Sequence, residues 1–165
     1  MPGLPERLDR TRGFNDIFLL VKKAVYNSLG RRRVGLMLGL SDLPSNVAAY
    51  YTPGVIILNR KVLDKLRREV KDQRLFNSYL FHILLHEYLH SLGYDEGYTG
   101  ELCYMVCREN LGDEHPATMM ARYGISTVIP SLKDVEECLE DMAEPTLGKV
   151  ELVKNFDSEN VTYLA

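Results

Sequence analysis

Residues 75–93 read Leu-Phe-Asn-Ser-Tyr-Leu-Phe-His-Ile-Leu-Leu-His-Glu-Tyr-Leu-His-Ser-Leu-Gly. The pattern predicts a helix that is apolar on nearly every side. Phe76, Tyr79, Leu80, Phe81, Ile83, Leu84, Leu85, Tyr88, Leu89 and Leu92 leave no wide polar face, so the helix belongs in the interior. It nevertheless carries His82, His86, Glu87 and His90. Ionisable groups in a buried helix are costly unless something compensates them. A divalent metal ion is the simplest partner.

The spacing agrees. His86 and His90 are four residues apart and fall one turn above each other on one helix face, close enough to share an ion. Glu87 follows His86 directly and points about 100° away, so it reaches a metal-held water from the side instead of joining the ligand pair. This is the H-E-x-x-H pattern of zinc hydrolases, two histidine ligands and a glutamate base. The competing reading is a core helix whose histidines are satisfied by neighbours. His82, one turn earlier, reads as a supporting or core histidine.

Gly93 stands three residues past His90, where it can end the helix and turn the chain back toward the metal. His86-Glu87-x-x-His90-x-x-Gly93-x-x-Glu96 resembles the signature of metzincin-type zinc peptidases. Leu89-His90-x-x-Gly93-Tyr94-Asp95 is also similar to the bacterial rRNA-maturation zinc hydrolases. Glu96 stands where both families carry His or Asp, and Glu87 where the second carries Gly. The resemblance implies a zincin-like α+β domain, with a small mixed sheet packed over the H-E-x-x-H helix and further helices after it. It also implies an edge strand beside the cleft, for which Val55–Leu58 is the candidate. An interior position for that strand fits its periodicity equally well.

Zn2+ bound by two histidines and one carboxylate keeps a fourth position for water. Glu96 is the first choice for the third ligand, because it occupies the ligand position of the resembled signature. Asp95, Glu101 and His115 remain open, although Asp95 could instead cap the next helix. Met119 and Met120 are candidates for a methionine turn or plain core filling. Tyr88, Tyr94, Tyr98 and Tyr123 are candidate oxyanion stabilisers. The expected activity is a zinc metallopeptidase acting on peptide or protein substrates, with Glu87 as general base. Two alternatives stand beside it: a zinc-dependent ribonuclease-like hydrolase, and a non-catalytic zinc-stabilised module whose cleft is covered by its own tail.

The nucleic-acid alternative draws on charge. Net charge is −3, but residues 1–74 hold 15 Lys and Arg against 7 Asp and Glu, while residues 75–165 hold 5 against 16. The basic half includes Arg31-Arg32-Arg33 and the set from Arg60 to Arg74, which suit either phosphates or solvent. The chain has 165 residues, enough for one domain with a sizeable core. No run approaches 18 apolar residues, which excludes a membrane-spanning helix. The first residues lack an apolar signal core, and three cysteines do not make a disulfide framework. A reducing, cytoplasmic setting is expected.

In chain order, 1–13 reads as an irregular lead-in and 14–29 as an amphipathic helix ended by Gly30. Strands are expected at 34–40, 47–51 and 55–59, the last two joined by the turn Thr52-Pro53-Gly54. Helices are expected at 60–72, 75–93, 96–111 and 117–123, with 124–130 irregular. Ser131-x-x-Asp134 reads as the start of a last helix to about 143. The domain is placed at 1–144 and a tail at 145–165, with 149–153 a candidate strand.

Overall fold

The computed structural model describes residues 2–138 and 149–157, arranged as a mixed α+β fold. Helices α1 (Leu4–Arg10) and α2 (Phe14–Leu29) come first, then strands β1 (Met37–Ser41), β2 (Val47–Thr52) and β3 (Val55–Asn59). Helices α3 (Arg60–Glu69), α4 (Gln73–Ser91), α5 (Glu96–Leu111), α6 (Pro116–Tyr123) and the single turn α7 (Ile125–Val128) follow. A 3-10 turn at Pro130–Leu132 leads into β4 (Glu136–Cys138), and β5 (Glu151–Leu152) lies in the later segment. No helix among the described residues is long and apolar enough to cross a membrane.

The strands form one mixed sheet in the order β4-β2-β3-β1-β5. β2 and β3 make the expected antiparallel hairpin. Gly54 takes φ +84 in its turn, a conformation that side chains disfavour. β1 lies parallel to β3, with Leu38 opposite Ile56 and Leu40 opposite Leu58. β3 is therefore the central strand, and Val55–Leu58 is not an edge. Ile56, Ile57 and Leu58 are all buried, as a strand covered on both faces requires. The edges belong to β4, parallel to β2, and β5, antiparallel to β1.

α4 is the central helix. Every residue from Asn77 to Leu89 is buried, and α1, α2, α5, α6 and strands β2 and β3 pack around it. Each large apolar side chain sunk this way contributes about 1.5–3 kcal/mol, which fixes the helix in place despite its ionisable groups. Asp72 starts it, its Oδ1 accepting from the Arg74 and Leu75 N–H groups at 2.9 and 3.4 Å.

Three further expectations are corrected. Residues 4–10 are helical: Pro5 is tolerated in the first turn, Leu8 is fully buried, and the Asn77 amide donates to the Leu8 and Thr11 carbonyls at 2.9 Å each. Residues 125–128 form a helical turn. The expected last helix is replaced by the 3-10 turn and β4, because the edge of β2 offers residues 136–138 a pairing partner. The remainder of that expected helix, and the boundary at 144/145, lie outside the described residues. The described part of the tail, 149–157, is built into the fold: β5 pairs with β1 and Phe156 stacks on Phe18 at 4.4 Å.

Candidate metal centre

The site is made where α4 hands over to α5. Gly93 sits just past the end of α4 with φ +99. Its N–H donates to the His90 carbonyl at 3.0 Å, and the Tyr94 N–H reaches the Leu89 carbonyl at 3.3 Å. These two bonds form a Schellman turn, which satisfies the last carbonyls of the helix and reverses the chain. Asp95 then caps α5, accepting from the Tyr98 N–H at 2.9 Å, and Thr99 donates to the Asp95 carbonyl at 2.6 Å. Glu96 becomes the first residue of α5, where the positive end of the helix favours its charge.

The handover brings three side chains together. His86 Nε2 and His90 Nε2 are 3.1 Å apart. The Glu96 carboxylate straddles them, 3.1 Å from His86 Nε2 and 2.7 Å from His90 Nε2. One ligand atom from each residue lies within 4.8 Å of the others. Donors on a tetrahedral zinc ion with bonds of about 2.0–2.1 Å stand about 3.3 Å from one another. The observed spacings are close to that figure, and two imidazoles with a carboxylate are a donor set zinc accepts. The three residues could hold a metal ion, with the donors opening by a few tenths of an ångström to admit one such as zinc.

The ring orientations are also set. His90 Nδ1 lies 2.9 Å from the Tyr94 carbonyl, which can only accept, so Nδ1 carries a hydrogen and Nε2 is the nitrogen turned toward His86 and Glu96. His86 Nδ1 is 3.9 Å from the Cys103 sulfur on α5. The centre is nearly closed off: the His86 side chain is 1 % exposed and that of His90 8 %, whereas Glu96 is 37 % exposed and forms the open side.

Electrostatics bind the cluster together. Burial pulls the His90 pKa down. The hydrogen bonds to Glu96 and Tyr94 and the charges of Glu87 and Glu96 outweigh it and hold the imidazole at about 9. Burial likewise pushes Glu96 up, but the two histidines bring it down to about 2. Glu87 is fully buried, and its charge is felt by His90.

The other expected ligands are not in the group. Asp95 is occupied as the cap of α5, and Glu101 is exposed on that helix. His115 caps α6, its Nδ1 accepting from the Ala117 N–H at 3.1 Å while its Nε2 donates to Asp9 at 3.0 Å. His82 is buried in α4 and is not one of the three convergent residues. Met119 and Met120 lie within helix α6, with Met120 fully buried as core. Among the tyrosines, Tyr88 is committed to Arg33, whose N–H donates to its hydroxyl at 2.8 Å. Tyr94 and Tyr98 stand beside the centre with rings 5.8 Å apart, and Tyr123 is exposed on α6.

One supporting residue escaped the sequence reading. Arg33 donates to the Ser91 carbonyl at 2.6 Å and to the Tyr51 hydroxyl at 3.2 Å, tying the end of α4 to the sheet. Nothing in the run Arg31-Arg32-Arg33 singles it out. Cys103 and Cys107, whose four-residue spacing suits either a metal site or small buried residues, are both buried on α5. Burial pushes the Cys107 thiol far up, which makes it a small apolar residue in practice. No family model matches the chain, and no curated protein or solved structure matches it.

Proposed function

We propose that this chain is a zinc-dependent peptidase with a zincin-like domain, acting on peptide or protein substrates. One observation carries the reading. Two imidazole nitrogens and a carboxylate oxygen from two helices converge at 2.7–3.1 Å, with a buried glutamate next in sequence to the first histidine.

His86 and His90 would hold the ion through Nε2 and Glu96 through its carboxylate. Zinc supplies Lewis-acid chemistry there, acidifying water and polarising a carbonyl. The protein's own residues do the rest. Glu87 takes the proton of the attacking water on its carboxylate and delivers it to the leaving nitrogen. The Tyr94 carbonyl keeps His90 in the tautomer that leaves Nε2 bare. The apolar side chains of α4 exclude bulk water from beneath the site, which strengthens each charge interaction above it. Glu96, on the open side, marks the direction from which substrate enters.

The test combines metal analysis with hydrolysis of a peptide mixture followed by mass spectrometry. Wild-type protein should hold one zinc per chain and release fragments. Glu87→Gln should keep the zinc and lose roughly 10²–10⁴-fold in rate, the usual contribution of a general base. Protein that takes up no zinc on reconstitution, or a Glu87→Gln variant that cleaves as fast as wild type, would overturn the proposal.

A further inference from the structure

The excess positive charge of residues 1–74 is partly gathered at the far end of α4, away from the metal centre. There the 11–13 link, the end of α3 and the first turn of α4 border an open pocket of about 370 Å³. Arg12, Arg67 and Lys71 line it, together with Val70, Asp72 and Phe76. We propose that this pocket binds a phosphate-bearing ligand with a flat ring, a nucleotide either free or within a single strand.

Three features support the phosphate. The pocket holds three cations against one carboxylate, and that carboxylate is engaged: Asp72 accepts from the Arg74 and Leu75 N–H groups. Among the described residues no acid pairs with Arg12, Arg67 or Lys71. Two other arginines of this half are committed to acids, since Arg74 bonds Asp9 at 3.0 Å and Arg60 faces Asp42 and Glu151. Finally, two of the three cations are held in position. The Arg67 guanidinium lies 5.3 Å from the Phe76 ring centroid, and the Lys71 ammonium donates to the Arg67 carbonyl at 3.3 Å. Pre-placed cations lose less freedom on meeting an anion.

The ring follows from the walls and the size. Val70 and Phe76 give the pocket an apolar side, and a guanidinium plane stacks well on flat rings. The volume falls within the usual range for small-molecule sites and exceeds what a bare phosphate needs. Gln73, at the pocket, is 17 residues before His90, about 25 Å along the helix, so the two sites are separate.

Calorimetric titration of the full chain tests the proposal, with inorganic phosphate, adenosine monophosphate and an eight-nucleotide single-stranded RNA as probes at low salt. Adenosine monophosphate should bind more tightly than inorganic phosphate. Arg12→Gln, Arg67→Gln and Lys71→Gln should each weaken it by about tenfold, as loss of a charged hydrogen bond does. Arg108→Gln, on α5, should leave it unchanged, and all four variants should keep the wild-type circular dichroism and melting temperature. If the ligand is a strand, the RNA will bind far more tightly than the mononucleotide, with a log–log salt slope of about −2 for three phosphate contacts. That slope should shrink in Arg67→Gln. Equal affinity for the two would assign a free nucleotide. The proposal is overturned if neither adenosine monophosphate nor RNA binds, if phosphate alone binds as well as the nucleotide, or if binding survives all three substitutions.

Discussion

His90 donates through Nδ1 to the carbonyl of Tyr94 at 2.9 Å, and this bond aims its Nε2 at His86 and Glu96. The carbonyl is there because the chain reverses at Gly93, whose φ of +99 L side chains rarely adopt. Gly93→Ala should therefore cost about 1–2 kcal/mol of stability. It should also weaken zinc binding, because the same turn places Tyr94 and Glu96. Thermal melts with and without zinc measure both effects. A variant that loses stability but keeps wild-type zinc affinity would show that the turn does not position the ligands.

Glu96 is the side chain that the second helix brings to His86 and His90. Glu96→Ala should lower zinc affinity beyond the roughly 10–100-fold typical of lost supporting contacts. Glu101→Ala, changing an exposed carboxylate five residues later, should leave affinity as it was. Competition with a chromophoric chelator reads both variants on one scale, and the reverse ranking would move the third ligand to Glu101.

Zinc binding should release a proton. With His90 held at about 9, the metal-free cluster carries a proton there at neutral pH, and the metal must displace it. Calorimetry in buffers of differing ionisation enthalpy should find about one proton released near pH 7 and fewer as the pH rises past about 9. The metal-free protein should show the counterpart in its stability. The raised His90 pKa contributes stability in full below about 6.5, lost as the pH climbs through about 9. The lowered Glu96 pKa contributes above about 4.5, lost as the pH falls toward about 2. Both describe one ion pair, so its contribution should be greatest between those inner limits. A melting temperature of metal-free protein that keeps rising from pH 7 to pH 9 would contradict the pairing.

The parts of this arrangement that were legible in the sequence are those encoded locally. The pattern around His86, Glu87 and His90 marked α4 and Gly93 marked the turn, while the resemblance to the zinc-peptidase signature put Glu96 first among four candidates for the third side chain. β3 was bounded correctly at Val55–Asn59 and α5 at Glu96–Leu111. What failed depended on distant partners. α1 is held by Asn77, more than 60 residues away, while Pro2, Gly3 and Pro5 hid it. Ser131-x-x-Asp134 looked like a helix cap, but β2 offered residues 136–138 an edge. The periodicity of Val55–Leu58 could not say whether the strand was central or lateral, because both positions bury the same residues.

His115 was a sequence-level choice for the third ligand, and its hydrogen bonds give it another task. Its Nδ1 must stay unprotonated to accept from Ala117, and burial, only partly offset by Asp9, lowers its pKa. His115→Ala should cost about 1 kcal/mol, the usual value of a lost cap, with zinc content unchanged. A folded pKa below the ordinary 6.5 contributes stability that is present above that value and lost as the pH falls. The melting temperature of wild type should thus drop more steeply than that of His115→Ala below about pH 6.5. Loss of zinc in His115→Ala would instead restore it as a ligand.

Lys22 and Asp157 meet in the interior at 2.6 Å, with side chains 4 % and 0 % exposed. Asp157 Oδ2 also accepts from the Leu36 N–H at 2.8 Å, and Phe156 beside it stacks on Phe18, whose ring meets Tyr88 of α4 edge-on at 5.4 Å. The later segment is thus wedged against the helix that carries His86 and His90. Asp157→Ala takes the negative charge from beside a buried ammonium and the acceptor from a buried amide. It should cost about 3–5 kcal/mol, the usual cost of breaking a buried pair from one side. Lys22→Met combined with Asp157→Asn removes both charges and keeps an oxygen for Leu36, so it should cost less than Asp157→Ala alone. Chemical denaturation of the three proteins reads the difference, and a double variant as unstable as the single one would mean that the ion pair is not what anchors the segment.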